Sequence, residues 1–549
     1  MMKRQILILA VLSLIIIIFT PTLYSQHPTL RKWTLLIYLD ADNNLEEAGI
    51  EDINELEMVG STNDVNVIVQ IDRIDEYDTS NGDWKGAKRY YVTKDEDTAI
   101  INSVELEDLG EINMGGPTTL IDFVLFGIEN YPAEHYLLDF WDHGGSWQGV
   151  CWDDTNQGDY LTLSEIEFAL SAIRNKSQKN IDIALFDACT MGNTEVFYQL
   201  RNYVDIAVGS EASVPGDGCP YNKILEFITS TPSATKEELA TKIVELYIES
   251  YSDGESDPDD TPSVTMSAFK LKNFDVLAEH VDELCMMLSK KSGLPLQNLQ
   301  IVNSRMNSQQ FLVAFVPSPF PNILSSMIDL YDFCYELTRQ PTIDTSIKSK
   351  ARDVMKYFEE LKVAEAHNDL SYGGAHGLTI YFPNEISTEY RSTYDKIAFA
   401  EDKYWNEFIH HVNRVESAKD TPPTCLISEP QQWEIITSEY YQVKGSAFDV
   451  ESLQQVQIKI DDGEWLAVEG TKEWSYNWQT SSGKHTICAR SFDSSRQYST
   501  EFKIGVEVVK GVRAGAPLPW LGIGVGIVIA IVTLALLPAI IKRIRATKK

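Results

Sequence analysis

The sequence predicts an α/β protein: a mostly parallel sheet flanked by helices, followed by a small β-sandwich and a C-terminal transmembrane helix. Apolar runs too continuous for one-sided strands, such as Trp33–Leu39 and Ile181–Phe186, alternate with segments of helical spacing, as in a sheet covered on both faces. Past residue 419 short runs of period-two alternation replace them, and an uncharged stretch near the end is long enough to span a bilayer.

At the N-terminus, Lys3 and Arg4 precede the uncharged run Ile6–Phe19 and Thr20-Pro21, the pattern of an export signal over residues 1–25. Residues 26–418 form the predicted α/β domain. Its expected strands are Trp33–Leu39, Val65–Ile71, Lys88–Val92, His135–Phe140, Ile181–Phe186 and Asp205–Val208. Its expected helices are Leu45–Val59, Thr118–Glu129, Leu163–Ile173 and Thr194–Tyr203. Further on come helices at Lys236–Tyr251, Leu271–Lys290 and Ile347–His367 and strands at Val264–Phe269 and Gly377–Phe382. The acidic segment Ser252–Asp260 lacks the glycine and glutamate positions of an EF-hand loop and reads as a solvated linker.

Residues 419–511 alternate at Val456–Ile460 and Trp474–Trp478, with a hairpin turn at Asp461-Asp462-Gly463, the spacing of an immunoglobulin-like sandwich. Cys425 shares a face with Ile427, whereas Cys488 lies opposite the apolar pair Ile487 and Ala489, which argues against a disulfide between them. Residues 517–541 are the predicted span, and 542–549 form a basic cytoplasmic tail. By the positive-inside rule this makes the protein a single-pass cell-membrane protein with its folded part outside the cytoplasm.

A net charge of -35 without an internal basic cluster excludes nucleic acid as a partner. Seven cysteines without CxxC spacing and nine histidines without HExxH exclude a zinc site. An odd number of cysteines in an exported chain leaves a thiol to be explained.

Two stretches account for it. Phe140-Trp-Asp-His-Gly-Gly145 and Ile183-Ala-Leu-Phe-Asp-Ala-Cys-Thr-Met-Gly192 both run from apolar strand into small and polar residues, delivering His143 and Cys189 to the rim of a sheet. A thiol and an imidazole there suffice for nucleophilic catalysis. Gly144 lets a backbone N–H approach a substrate carbonyl, and the helical pattern from Thr194 suggests a helix dipole acting on the Cys189 thiolate. Cys151 falls in an expected loop; Cys285 and Cys334 read as core.

With Ser210-Glu-Ala-Ser-Val-Pro-Gly-Asp-Gly-Cys-Pro-Tyr221 these stretches make an ordered set that resembles the clostripain family of cysteine peptidases, whose fold is shared with caspases, legumains and gingipains. The resemblance implies that Cys189 is the nucleophile, His143 its proton-transfer partner, and the N–H groups of Gly144 and Cys189 the oxyanion hole. It also implies that Asp187 and Asp217 line an S1 pocket for Arg or Lys, so that the partners are peptide substrates basic at P1. No cofactor is required; calcium enters as a stabiliser by family analogy alone. Family members often mature by cleavage after a basic residue between the two strands, yet Gly144–Ile173 holds no Lys or Arg, so activation is expected to be absent or shifted to Arg174–Lys179. Two other readings stay open: a silent binder of basic peptides, and a transpeptidase using the same thiol.

Overall fold

A computed structural model describes residues 30–510 apart from 76, 253–261, 293–294, 312–326, 384–392, 418–422, 432–433, 449–452, 494–497 and 500. The predicted export signal and membrane span, and the acidic linker from 253 on, lie outside these residues. Among the described residues no helix is long and apolar enough to cross a membrane. The chain divides into two compact units, one reaching to Lys290 and resuming at Ser304–Asn413, the other comprising Lys291–Asn303 and the chain from Arg414.

In the first unit the order is β1 (Arg31–Ala41), α1 (Glu46–Glu57), β2 (Val65–Arg73), β3 (Ala87–Tyr91), β4 (Val104–Gly110), α2 (Pro117–Asn130), β5 (Ala133–Trp141), β6 (Gly149–Asp153), β7 (Asp159–Thr162), α3 (Leu163–Ser177), β8 (Ile181–Asp187), α4 (Thr194–Leu200), β9 (Val204–Gly209), α5 (Tyr221–Ser230), α6 (Lys236–Ser250) and β10 (Thr265–Lys270). After it come β11 (Gln310–Phe311), β12 (Met327–Asp329), β13 (Lys362–His367) and β14 (Thr379–Tyr381), with further helices that include Phe274–Ser292 and Thr345–Leu361. The main sheet has nine strands in the order β13-β10-β9-β8-β5-β1-β2-β3-β4. Its centre, from β9 to β2, is parallel, and antiparallel strands close both sides. The central strands are buried on both faces, which is why they read as continuous apolar runs. Phe140 and Phe186, opposite each other in register, stack at 5.0 Å between ring centroids and tie β5 to β8 just short of their C-terminal ends.

Local signals set the helix limits. Thr162 with Glu165, and Thr235 with Glu238, form capping boxes at the starts of α3 and α6. Three expectations are corrected. Residues Lys362–His367, read as the end of a helix, form β13, antiparallel to β10 at the sheet edge; the helical pattern stops at Leu361. Cys151 is not in a loop but in β6, a buried strand that pairs with the more exposed β7 as a hairpin beside the main sheet. The helix expected over Thr194–Tyr203 ends at Leu200.

The second unit holds two sheets around one apolar core that includes Trp474, Trp478, Ile458 and Val506. One sheet contains strands Thr424–Glu429, Tyr440–Phe448 and Glu473–Gln479; the other contains Leu453–Ile460, Gly483–Asp493 and Phe502–Val508. Cys425 is in that core, while Cys488 sits opposite Lys459 and Lys503 in the ladder, and both are free thiols, as the strand parity requires.

Candidate active site

Strands β5 and β8 run parallel with Trp141 opposite Asp187, so His143 and Cys189, each two residues further on, leave the same end of the sheet side by side. Asp142 N donates to Asp187 O at 3.3 Å across this end. Gly144 then lies against the cysteine backbone: a Cβ built on it would stand 2.3 Å from Cys189 O and 3.0 Å from Cys189 N. No residue with a side chain fits there without displacing the strand end. The bridge between Gly144 and Val150 is made by Gly145 N to Gly149 O and Cys151 N to His143 O, which leaves the N–H of Gly144 itself outside the bridge.

Burial governs the titration of both side chains. It lowers the His143 imidazole to about 4. Cys189 is raised by burial, against the opposing effect of the Val214 N–H, which donates to Sγ at 3.3 Å. The resting site therefore holds a neutral thiol and a neutral imidazole. The expected helix-dipole stabilisation of a thiolate is not found. Helix α4 starts five residues after Cys189 and is seven residues long, and the side chain of Asn193 accepts from Val196 N at its start. Thr190, next to the thiol, takes a left-handed conformation (φ 61°) and its N–H bonds Ala212 O, tying the cysteine turn to the segment after β9.

One functional candidate was missed by sequence reasoning. Asn44, exposed in the turn between β1 and α1, accepts a hydrogen bond from His143 Nε2 at 3.0 Å through Oδ1. An amide oxygen can only accept, so Nε2 carries the proton and Nδ1 is the basic nitrogen of the ring. Its neighbour Asn43 donates from Nδ2 to Asp142 Oδ1 at 2.8 Å, fixing the same turn to the histidine strand. A polar Asn-Asn pair at a strand end reads only as a turn, and 99 residues separate each from its partner.

The two acidic residues expected in the pocket are placed differently. Asp187 is buried; its Oδ2 accepts from Cys219 N at 2.7 Å and from the Tyr221 hydroxyl at 3.0 Å, while Oδ1 has no partner. Asp217 is exposed on the Pro215–Gly218 turn that these bonds hold in place. Cys219 and Cys151 are fully buried, and burial raises both thiols.

The structure thus presents Cys189 and His143 on adjacent C-terminal strand ends of a mostly parallel sheet flanked by helices, with Gly144 packed against the cysteine backbone. The chain belongs to the clostripain family, whose model matches residues 37–412. It is a cysteine endopeptidase, a hydrolase. Clostripain of Hathewaya histolytica is 25% identical over 417 residues, covering 66% of this chain and 77% of its own. A secreted C11 cysteine protease from Bacteroides thetaiotaomicron, solved with an irreversible peptide inhibitor, is 20% identical, covers 70% of this chain and 99% of its own, and superposes with a TM-score of 0.50. An inactive zymogen C11 protease from Parabacteroides distasonis is 22% identical, covers 69% of this chain and 99% of its own, with a TM-score of 0.50. At these identities the likeness to the solved structures is one of fold.

Proposed function

We propose that the chain is a membrane-tethered, extracytoplasmic endopeptidase that cleaves after Arg or Lys, with Cys189 as nucleophile and His143 as its base. The contact of Gly144 with the Cys189 backbone carries the reading, because it sets the histidine strand against the cysteine turn. In this mechanism Nδ1 of His143, left as the unprotonated nitrogen by the bond from Nε2–H to Asn44, takes the proton of the Cys189 thiol as sulfur attacks the scissile carbonyl. The N–H groups of Gly144 and Cys189 receive the developing oxyanion. The imidazolium then protonates the leaving amine, and water, deprotonated by the same ring, releases the acid from the thioester.

Asp217 is the carboxylate proposed to meet the P1 cation, being exposed on the turn beside the thiol-bearing loop. Asp187 supports it from beneath by fixing Cys219 and Tyr221. The tether rests on the apolar span 517–541 and the basic tail 542–549, and the second unit acts as an immunoglobulin-like spacer. For maturation, Arg174 and Lys176 lie within α3, whose helical backbone cannot enter an active site extended, which leaves Lys179 in the connection to β8 or no processing at all.

The test is hydrolysis of peptides varied at P1 by the full-length protein in detergent. Turnover after Arg and Lys, abolished by Cys189→Ala and His143→Ala, is expected. Asp217→Ala should weaken cleavage after Arg and Lys by about 10- to 100-fold, the worth of a charge-assisted hydrogen bond, with little change in melting temperature. An unchanged P1 profile in that variant would remove Asp217 from the pocket, and ligated products on adding an amine would favour acyl transfer.

A further inference from the structure

Two buried carboxyl groups meet beside the nucleophile turn and take no part in the mechanism above. Glu211 follows the end of β9 by two residues, Asp329 ends β12, and both are buried. Consecutive N–H groups just before β14 bring them side by side: His376 N donates to Asp329 Oδ2 at 2.7 Å, and Gly377 N to Glu211 Oε2 at 2.9 Å. The two side chains are in hydrogen-bond contact. Ionised carboxylates only accept, so this contact requires a proton on one of them.

The backbone donors decide which one. Asp329 uses both oxygens as acceptors, Oδ2 from His376 N and Oδ1 from Asp332 N at 2.6 Å, where it caps the helix Leu330–Arg339. Glu211 accepts through Oε2 alone, and its Oε1 is buried and meets no N–H or O–H donor. Buried polar oxygens are ordinarily satisfied, and a protonated Oε1 satisfies itself by donating to Asp329. The surroundings favour that neutral form. Burial raises both acids, and the charge of Asp329 raises Glu211 further. Glu365 of β13 and Asp332 add negative charge, while Tyr331, Tyr372 and Cys334, all raised by burial, stay neutral. Burial lowers His376 to about 4, so its ring, stacked on Tyr331 at 4.2 Å, brings no positive charge. His367 lies 3.1 Å from Glu365, Lys362 pairs with Glu359 and Arg339 with Glu336; among the described residues no Lys or Arg is ion-paired with Glu211 or Asp329.

We propose that Glu211 is held as a neutral acid whose Oε1–H donates to Asp329, and that through this bond it is a positioning residue for the nucleophile turn. The segment it anchors runs along that turn: Gly192 N donates to Ser210 O at 2.8 Å, Thr190 N to Ala212 O at 3.0 Å, and Val214 N to Cys189 Sγ at 3.3 Å. A Cβ built on Gly192 would stand 2.9 Å from Glu211 N, so the two backbones are in direct contact. Loss of the proton would leave two carboxylates touching away from water, and their repulsion would push β12 from the segment that orients Cys189. Above about pH 4.3 the unfolded chain gives up the Glu211 proton that the folded chain keeps, so this group's contribution to stability falls as pH rises, until the folded carboxyl ionises too. The link to catalysis rests on Cys189 being the nucleophile, as proposed above; the shared proton does not.

The test compares full-length proteins in detergent. In a Cys189→Ala background, where neither turnover nor self-cleavage enters the readout, melting temperature is followed from pH 5 to pH 8 with and without Glu211→Gln. The introduced amide donates to Asp329 without a titrating proton, so the variant should gain on its parent as pH rises, by at least about 2 °C across the range. Should it fail to fold, Asp329→Asn, whose amide can donate to an ionised Glu211, carries the same expectation. A difference that stays constant or shrinks with rising pH would overturn the neutral acid. With the nucleophile restored, Glu211→Ala should lower kcat on an Arg-P1 peptide about 10- to 100-fold with KM nearly unchanged, and Glu211→Gln should recover most of that loss. Equal losses in the two variants, or a loss carried by KM, would overturn the positioning role. Turnover by wild type decides the peptidase reading separately, and the melting comparison stands whichever way that falls.

Discussion

Gly144→Ala asks the most of the proposed geometry for the least chemical change. One methyl group is added, and its carbon would sit 2.3 Å from Cys189 O, 3.0 Å from Cys189 N and 3.1 Å from Ala188 Cβ. Two of the three neighbours are backbone atoms in the middle of the site, so relief requires the histidine and cysteine segments to part by about an ångström, given ordinary carbon contact near 3.5 Å. Misplacement on that scale costs about 100-fold in rate, and loss of one oxyanion donor costs about 100- to 1,000-fold. The expected result is therefore a fall in kcat/KM of at least about 100-fold on an Arg-P1 fluorogenic peptide, carried mainly by kcat. Overpacking should cost about 1–3 kcal/mol of stability, measured by chemical denaturation. Gly145→Ala is the comparison, since its added Cβ meets first the Trp152 ring edge, at 2.7 Å, outside the dyad contact. A folded Gly144→Ala enzyme with kcat/KM within twofold of wild type would refute the proposed arrangement.

Other outcomes follow from the same site and its support. Asn44→Ala should lower kcat about tenfold, the net worth of one hydrogen bond, whereas Asn44→Asp, which restores an acceptor with a charge, should move the acidic limb of kcat/KM upward. His143, depressed by burial to about 4, is neutral in both states above pH 6.5. As pH falls from 6.5 to about 4 the unfolded chain takes up a proton that the folded chain refuses, so up to about 3 kcal/mol of stability is lost in that window, and His143→Gln should flatten the decline in urea titrations. Because burial raises Cys189, its alkylation by iodoacetamide should keep accelerating to pH 9 and beyond; a plateau between pH 5 and 7 would show a preformed thiolate–imidazolium pair instead. In the core, Arg73 and Glu46 form a fully buried pair at 2.7 Å, and Glu46→Gln, which leaves Asp78 as the guanidinium's remaining anionic partner, should destabilise the fold by up to about 3 kcal/mol.

The central strands were legible because burial on both faces leaves long apolar runs with few polar interruptions, and the two reactive residues because each follows such a run. What escaped was set by pairings with no local signature. Lys362–His367 continues a helical stretch in composition, and only the open edge of β10 makes it a strand. The β6–β7 hairpin mixes Trp, Cys, Asp and Tyr in a pattern that reads as loop until Trp152 stacks on Tyr160 at 4.6 Å. Asp187 was legible as a residue beside the nucleophile but not in its direction, since a strand aspartate shows its orientation only when Tyr221 and Cys219 arrive from another segment.

The same reasoning explains why a buried acidic cluster leaves no mark in the sequence. A contiguous acidic run is conspicuous in a sequence because its charges are neighbours along the chain. Asp42, Asp72, Glu111 and Asp153 are separated by 30 residues or more and become neighbours only when β1, β2, β4 and β6 deliver them to one place. Folding must overcome their repulsion, and the apolar burial around β1 and β2 is what imposes it. Asp42 and Asp153 lie in the segments whose next residues hold Asp142 and His143. Any countercharge placed among the four carboxylates therefore stabilises the catalytic turn along with the sheet edge, and the two cannot be tuned independently.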